Sequence, residues 1–242
     1  MAVPTAVPGL LGRRGPALVG LTGALLTGIG DVLILGRPCS GRDFDRAEGM
    51  VPPRVEADDA WRSLWNGAAF SVRRIQAGTL AGHVGIGLLQ LLALRGIGRT
   101  LHPGREQQVA VASATGFAVA GVLTHQCCAS VILAYQRAMA AAPRSGQGAV
   151  AAPRGLTRLL AVSAAGSLGA LAVFSASLTV AGLRRRSSAP TWTLAATPLP
   201  CVLATLLTFG ALPAPLGGYA RPASISVGLI MYFALTAVGD PH

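Results

Sequence analysis

Three ionisable side chains lie inside apolar runs of this chain and have the chemistry of proton exchange: Asp31, His83 and His125, with the thiol of Cys128 one helical turn beyond His125. A carboxylate beside an imidazole can share or relay a proton, and in hydrocarbon each group is costly unless it is paired or wet. If the runs are helices, depth follows from a rise of ~1.5 Å per residue, measured from the face at which the first run ends. Asp31 then lies roughly 8 Å deep, His83 roughly 12 Å, His125 roughly 15 Å and Cys128 about 10 Å. Successive runs cross in opposite directions, yet these residues fall in the same half of the layer, as one polar site would require. Helical phase agrees. Gln76, Thr79, His83 and Gln90 follow spacings of three, four and seven; Gly121, His125 and Cys128 share a face with Thr124 beside it; and Gly20, Thr27 and Asp31 align. The expected intramembrane polar site therefore comprises Asp31, His83, Gln90, His125 and Cys128, with an imidazole as the partner of Asp31.

Other chemistries compete for the same residues. An Asp–His pair can be a structural clamp between helices. His125-x-x-Cys128, with Cys127 and His83, offers donors for zinc or another soft metal, and two His on neighbouring helices could be axial haem ligands, but the spacing is weak and nothing else marks such a pocket. No metal and no cofactor is expected. Ser163 and Ser167 share a helix face without a His and an acid spaced to activate them, so they read as small packing residues and no catalytic residue is assigned. No Walker, dinucleotide or HExxH motif occurs, and no inverted repeat relates the two halves.

The elements that must position these groups are six apolar stretches: Ala17–Gly36, Ile75–Leu94, Gln108–Tyr135, Leu159–Leu183, Thr191–Leu212 and Ala223–Gly239. Crossing about 30 Å of hydrocarbon takes roughly 20 apolar residues, a length that four stretches clear comfortably. The third is long enough to tilt or protrude, and the sixth, closed by Pro222 and Pro241, is near the lower limit. Only 12% of the chain is charged and 52% is apolar, too little polar surface for a water-soluble protein of 242 residues. All 20 basic residues are Arg, nearly all outside the stretches, so the net charge of +11 belongs to membrane interfaces. No basic face with interleaved aromatics appears, which argues against nucleic acid as a partner. The absence of Lys beside abundant Ala, Gly and Arg looks like GC-rich codon bias, the sole ground for expecting a bacterial source.

The connections carry further expectations. Arg13 and Arg14 precede the first run as in a signal peptide, but the run is too long, carries Asp31 and lacks a cleavage site, so an uncleaved helix is expected. Residues 37–74 form the longest connection: a charged, Pro-containing loop, then Asp58 as a helix cap before Trp61, Leu64, Trp65, Ala68 and Val72 at helical spacing. That pattern predicts a short interfacial amphipathic helix with two Trp at headgroup level. Pro198 and Pro200 predict a kink in the fifth span. Gly78 with Gly82, and Gly166 with Ala170, form small-xxx-small pairs for close helix contact. The four Cys offer no disulfide framework. With the amino terminus inside, eight Arg lie on its face and twelve on the other, a weak lean toward both termini outside.

Gly28-Ile29-Gly30-Asp31, Trp61-Arg62-Ser63-Leu64-Trp65, His125 and Gly218-Tyr219-Ala220-Arg221-Pro222-Ala223-Ser224 together resemble a family of bacterial six-helix membrane proteins of unknown function. The resemblance implies six spans over most of the chain, gives no activity and assigns no catalytic residue. The expectation is an all-α, six-span transmembrane bundle, one membrane domain, multi-pass in the cell membrane, with the lipid bilayer as partner and a homo-oligomer open. A small-solute or proton-coupled permease fits the polar path best. A membrane-embedded enzyme acting on lipid, and a non-catalytic scaffold or accessory subunit, are the alternatives.

Overall fold

The computed structural model describes residues 12–52, 55–56, 58–141, 150–151, 153–184, 187 and 196–239. Apart from a two-residue parallel bridge, Val55–Glu56 with Val150–Ala151, it is all-α. In chain order the α-helices longer than a single turn are α1 (Arg14–Leu35), the short α2 (Gly41–Arg46), α3 (Val72–Arg99), α4 (Arg105–Ala141), α5 (Arg154–Leu183), α6 (Pro198–Gly210) and α7 (Ser224–Val238). Four of them, α1, α3, α4 and α5, are long and apolar enough to cross a membrane. Helices α6 and α7, with 13 and 15 residues, are shorter than the stretches that predicted them. Residues 191–195 of the expected fifth span lie outside the described residues.

Helix α1 is central because its glycines let other backbones approach. A Cβ on Gly30 would meet the Gly78 carbonyl oxygen at 2.6 Å, and one on Gly78 would meet the Gly30 carbonyl at 2.7 Å, so α1 and α3 touch backbone to backbone. On its other side, antiparallel α7 sets the Phe233 ring against Gly20 and Ser226 against Gly28. Gly166, in the other expected pair, makes only ordinary contact with Ala120 of α4. The carbonyls that end α1 are capped by Arg74, which donates to Leu33 at 2.8 Å, Val32 at 3.2 Å and Gly36 at 2.9 Å while lying over the Phe70 ring.

Buried side chains form two clusters along the bundle. One contains Ile97, Phe117, Phe174 and Phe233; the other contains Ile34, Trp65, Ile75, Ile132 and Tyr135 at the end where α1 leaves for the long connection. That end, the loop face, is closed by backbone pairing: Gly41 N donates to Leu212 O at 2.9 Å and Gly218 N to Cys39 O at 2.7 Å. Arg221 locks the same contact through Asp45 at 2.9 Å. The turn joining α6 to α7 therefore sits beside the exit of α1.

Three local expectations are corrected. The Trp61-to-Val72 pattern is not one interfacial helix but a 3-10 segment, Asp59–Leu64, and a single α turn, Trp65–Ala68. Gly67 backs onto the Ile34 carbonyl, and Ser71 caps the next helix by accepting from Arg74 N. Trp65 turns inward, 3% exposed and tilted against Tyr135 with ring centroids 4.6 Å apart, while Val72 points out. A face buried against protein and one lying in headgroups carry the same apolar periodicity. Second, among the described residues Pro198 and Pro200 kink no helix; they open α6, where the missing N–H is no loss, and Ser175 of α5 accepts the Leu199 N–H at 2.9 Å. Third, Gln76 is exposed and off the internal stripe.

Candidate functional site

Asp31 sits on α1 one turn before its end, where Gly28 and Gly30 bring α7 and α3 close enough to enclose it. Its Oδ1 lies 2.8 Å from Nε2 of His125 on α4, and its Oδ2 accepts from the Ser226 hydroxyl of α7 at 2.8 Å. An ionised carboxylate offers acceptors only, so in that state the His125 hydrogen sits on Nε2. His125 is 8% exposed and its Nδ1 has no partner among the described residues. The ring rests on Gly82, where any Cβ would overlap Nδ1, Cε1 and Cγ. Half of the Gly78/Gly82 pair thus serves an imidazole as well as a helix.

Helix α3 contains a π segment, Gly85–Gln90, between regular α turns. One extra residue turns the following face by about 100° relative to an unbroken α-helix, so the spacing of seven between His83 and Gln90 does not keep them on one stripe. Gln90 is fully buried and faces α1, where its Nε2 donates to Thr27 Oγ1 at 2.9 Å. The Thr27 hydroxyl donates to Gly23 O at 2.9 Å, so its lone pair must accept, which fixes the orientation of the Gln90 amide. Gly85 leaves room for this contact, since a Cβ there would collide with Thr27 Oγ1.

These groups border one cavity of about 220 Å³ among α1, α3, α4, α5 and α7. Asp31, His125, Ser226 and Cys128 line it, and Thr27 and Gln90 lie about one helical turn further from the loop face. Ile86, Phe117, Leu168 and Leu229 are among its apolar walls. Leu168, 40% exposed on α5, and Ile225, 36% exposed on α7, stand at the rim, so the opening is apolar.

Of the residues the sequence singled out, Asp31, Gln90, His125 and Cys128 line this cavity; His83 does not. His83 is half-buried beside Gly82, with Nε2 unpartnered among the described residues. Among the described residues no three His, Cys, Asp or Glu side chains are grouped as metal ligands, and Cys127 turns away into the cluster around Ile132. Sequence reasoning missed Ser226. Its signal was faint: Ser224 and Ser226 are two hydroxyls opening an otherwise apolar helix, and nothing in their spacing separates the one that meets Asp31 from the one whose backbone carbonyl accepts from Thr205 at 2.6 Å. The Gly218-to-Ser224 motif is framework, because Gly218 packs on Arg37 and Cys39 while Arg221 pairs with Asp45 and also donates to Leu206 O.

No curated protein and no solved structure matches the chain. A family model does, and it covers residues 14–239, the whole span from α1 to the end of α7 and every residue of the cavity. The chain belongs to the family of unknown function DUF6796.

Proposed function

We propose that this chain is a six-traverse, multi-pass protein of the cell membrane and a permease for a small, largely apolar solute carrying a positive charge or a hydrogen-bond donor, with proton exchange at Asp31 and His125. The observation that carries the reading is the Asp31–His125–Ser226 unit on the wall of a cavity otherwise lined mostly by apolar side chains. Asp31 is the cavity's one carboxylate among the described residues and no Arg lines it, so a cation or donor is favoured over an anion. The apolar rim at Leu168 and Ile225 suits entry from lipid. Six traverses are supported by α7, which runs antiparallel along α1 from Gly28 to Gly20, and by the α6–α7 turn docked at the exit of α1. At ~1.5 Å per residue, α6 and α7 reach roughly 20 Å each, which a locally thinned bilayer accommodates.

The test uses proteoliposomes with an acidic lumen and trapped pyranine, challenged with benzyltrimethylammonium, a permanently charged apolar cation. The expected result is lumenal alkalinisation evoked by the cation and lost in Asp31→Asn. An unchanged response in Asp31→Asn, or none above protein-free vesicles, contradicts the proposal.

A second reading is favoured by one observation: the same three hydrogen-bonding groups come from α1, α4 and α7, so they also tie three helices together. A scaffold would need this clamp and no solute.

A further inference from the structure

At the end of the bundle opposite the loop face, α3 and α4 leave a second opening, a cleft of about 650 Å³ lined by Arg95, Arg99, Gln107, Gln108, Val111, Ala112 and Thr115. Among the described residues the guanidiniums of Arg95 and Arg99 have no ion-pair or hydrogen-bond partner, whereas Arg184 on the same end pairs with Glu106 and Arg221 at the other end pairs with Asp45. Gln107 is already spent on the turn, donating to Arg99 O and Leu101 O at 3.0 Å each. The two guanidiniums are the charges that the cleft offers a ligand. A guanidinium presents a planar fork that matches a phosphate oxygen pair, so an anion of that shape is the natural occupant.

What adjoins the cleft identifies the kind of phosphate. Leu92, Arg95 and Arg99 recur at helical spacing on α3, and Leu88, within the π segment before them, is exposed like Leu92, at 53% and 56%. Gln108, Ala112, Thr115 and Val119 recur at helical spacing on α4, ending on a Val119 that is 58% exposed. The two stripes run side by side, polar at the end of the bundle and apolar toward its middle. About 16 Å separates Arg99 from Leu88 along the helix, the reach from a headgroup well into the acyl region.

We propose that this cleft binds the phosphodiester headgroup of an anionic phospholipid, with Arg95 and Arg99 on the phosphate and Leu88, Leu92, Ala112 and Val119 against the chains. The inference rests on the membrane reading of the fold but not on transport at Asp31. Basic pockets between membrane helices recognise such headgroups by the same combination of charge and adjacent apolar groove.

The test is native mass spectrometry of the full chain released from nanodiscs of phosphatidylglycerol and phosphatidylcholine in equal amounts. The parent protein should retain phosphatidylglycerol in preference to phosphatidylcholine. Arg95→Gln/Arg99→Gln should lose that preference about tenfold, and Arg105→Gln, which removes a charge at the same end but outside the cleft, should keep it. Millimolar inorganic phosphate should leave the bound lipid in place. Equal retention of both lipids by the parent, an unchanged preference in the double variant, or an equal loss in Arg105→Gln overturns the proposal; displacement by inorganic phosphate assigns the cleft to soluble phosphate and overturns it too. Because none of these residues touches the Asp31 cavity, failure here leaves the cation-evoked response intact, and failure there leaves lipid retention intact.

Discussion

At the scale of single residues, the polar unit depends on what is absent at Gly82 as much as on what is present at Asp31. The His125 ring fills the space that a side chain at position 82 would occupy. Gly82→Ala should therefore push the ring off Asp31 and destabilise the protein by about 1–3 kcal/mol, the usual cost of overpacking. Gly116→Ala is the control, because its Cβ would meet Ala170 at an ordinary 3.5 Å. Thermal melting in detergent separates them, and equal melting of both variants would reject the packing argument. Outside the spans, burial pushes the Cys39 thiol above the ordinary cysteine range, with the Arg37 guanidinium opposing the shift. A thiol raised in this way is mostly protonated at neutral pH, so maleimide should label Cys39 slowly near pH 7 and faster only in alkaline solution. Rapid labelling at neutral pH would contradict the buried position. Depth and helical phase pointed to an imidazole partner for Asp31 but left His83 and His125 equal, because the choice between them is made by packing at Gly82 and by the π segment of α3. Ser226 was not legible, because a hydroxyl opening an apolar helix has no spacing that distinguishes a ligand of Asp31 from a packing residue.

Between neighbouring elements, the recurrent device is a side chain that satisfies backbone groups at a helix end. Arg74 spends its guanidinium on the last carbonyls of α1, and Gln136 donates to the Ala68 and Phe70 carbonyls at 2.9 and 2.8 Å. Arg74→Met keeps the stem over Phe70 and removes the donors. It should cost about 1.5–3 kcal/mol, the scale of hydrogen bonds from a charged group, with Arg74→Lys intermediate. Chemical denaturation of the three proteins checks the order, and a Met variant as stable as the parent would contradict the capping role. The sequence shows Arg74 only as one more loop charge, since the carbonyls it caps are some forty residues away in the chain. The π segment of α3 was equally hidden: a one-residue change of phase leaves composition unaltered but moves Gln90 onto the cavity and leaves His83 off it. Conversely, Pro198 and Pro200 were visible but ambiguous, because proline marks a helix start and a helix kink with the same letter, and in the described residues it marks the start of α6.

Across the whole molecule, hydropathy located all six described apolar helices, and the four long ones follow directly from run length. It could not say how α6 and α7 end, because their lengths are set by packing at the loop face, where Gly41 and Gly218 pair with chain distant in sequence. Six traverses place the α6–α7 turn on the same side as the α1–α3 connection. Leu216→Cys, at a site 64% exposed, should react with an impermeant maleimide from the same side of the membrane as Glu48→Cys, and from the side opposite Arg105→Cys. Labelling of Leu216→Cys together with Arg105→Cys would contradict the six-traverse arrangement. The central claim is that Asp31 works on a proton and does not merely hold helices together, and the two roles part company in Asp31→Asn. The amide keeps an acceptor for His125 and a group for Ser226, so a clamp survives while the exchangeable carboxyl is lost. Melting temperature and cation-evoked proton movement, measured on the same preparation, decide the matter. The account predicts melting within a few degrees of the parent and a fall in proton movement of about a hundredfold; proton movement that persists in the stable variant, or that falls only in step with a collapse in melting temperature, would contradict it.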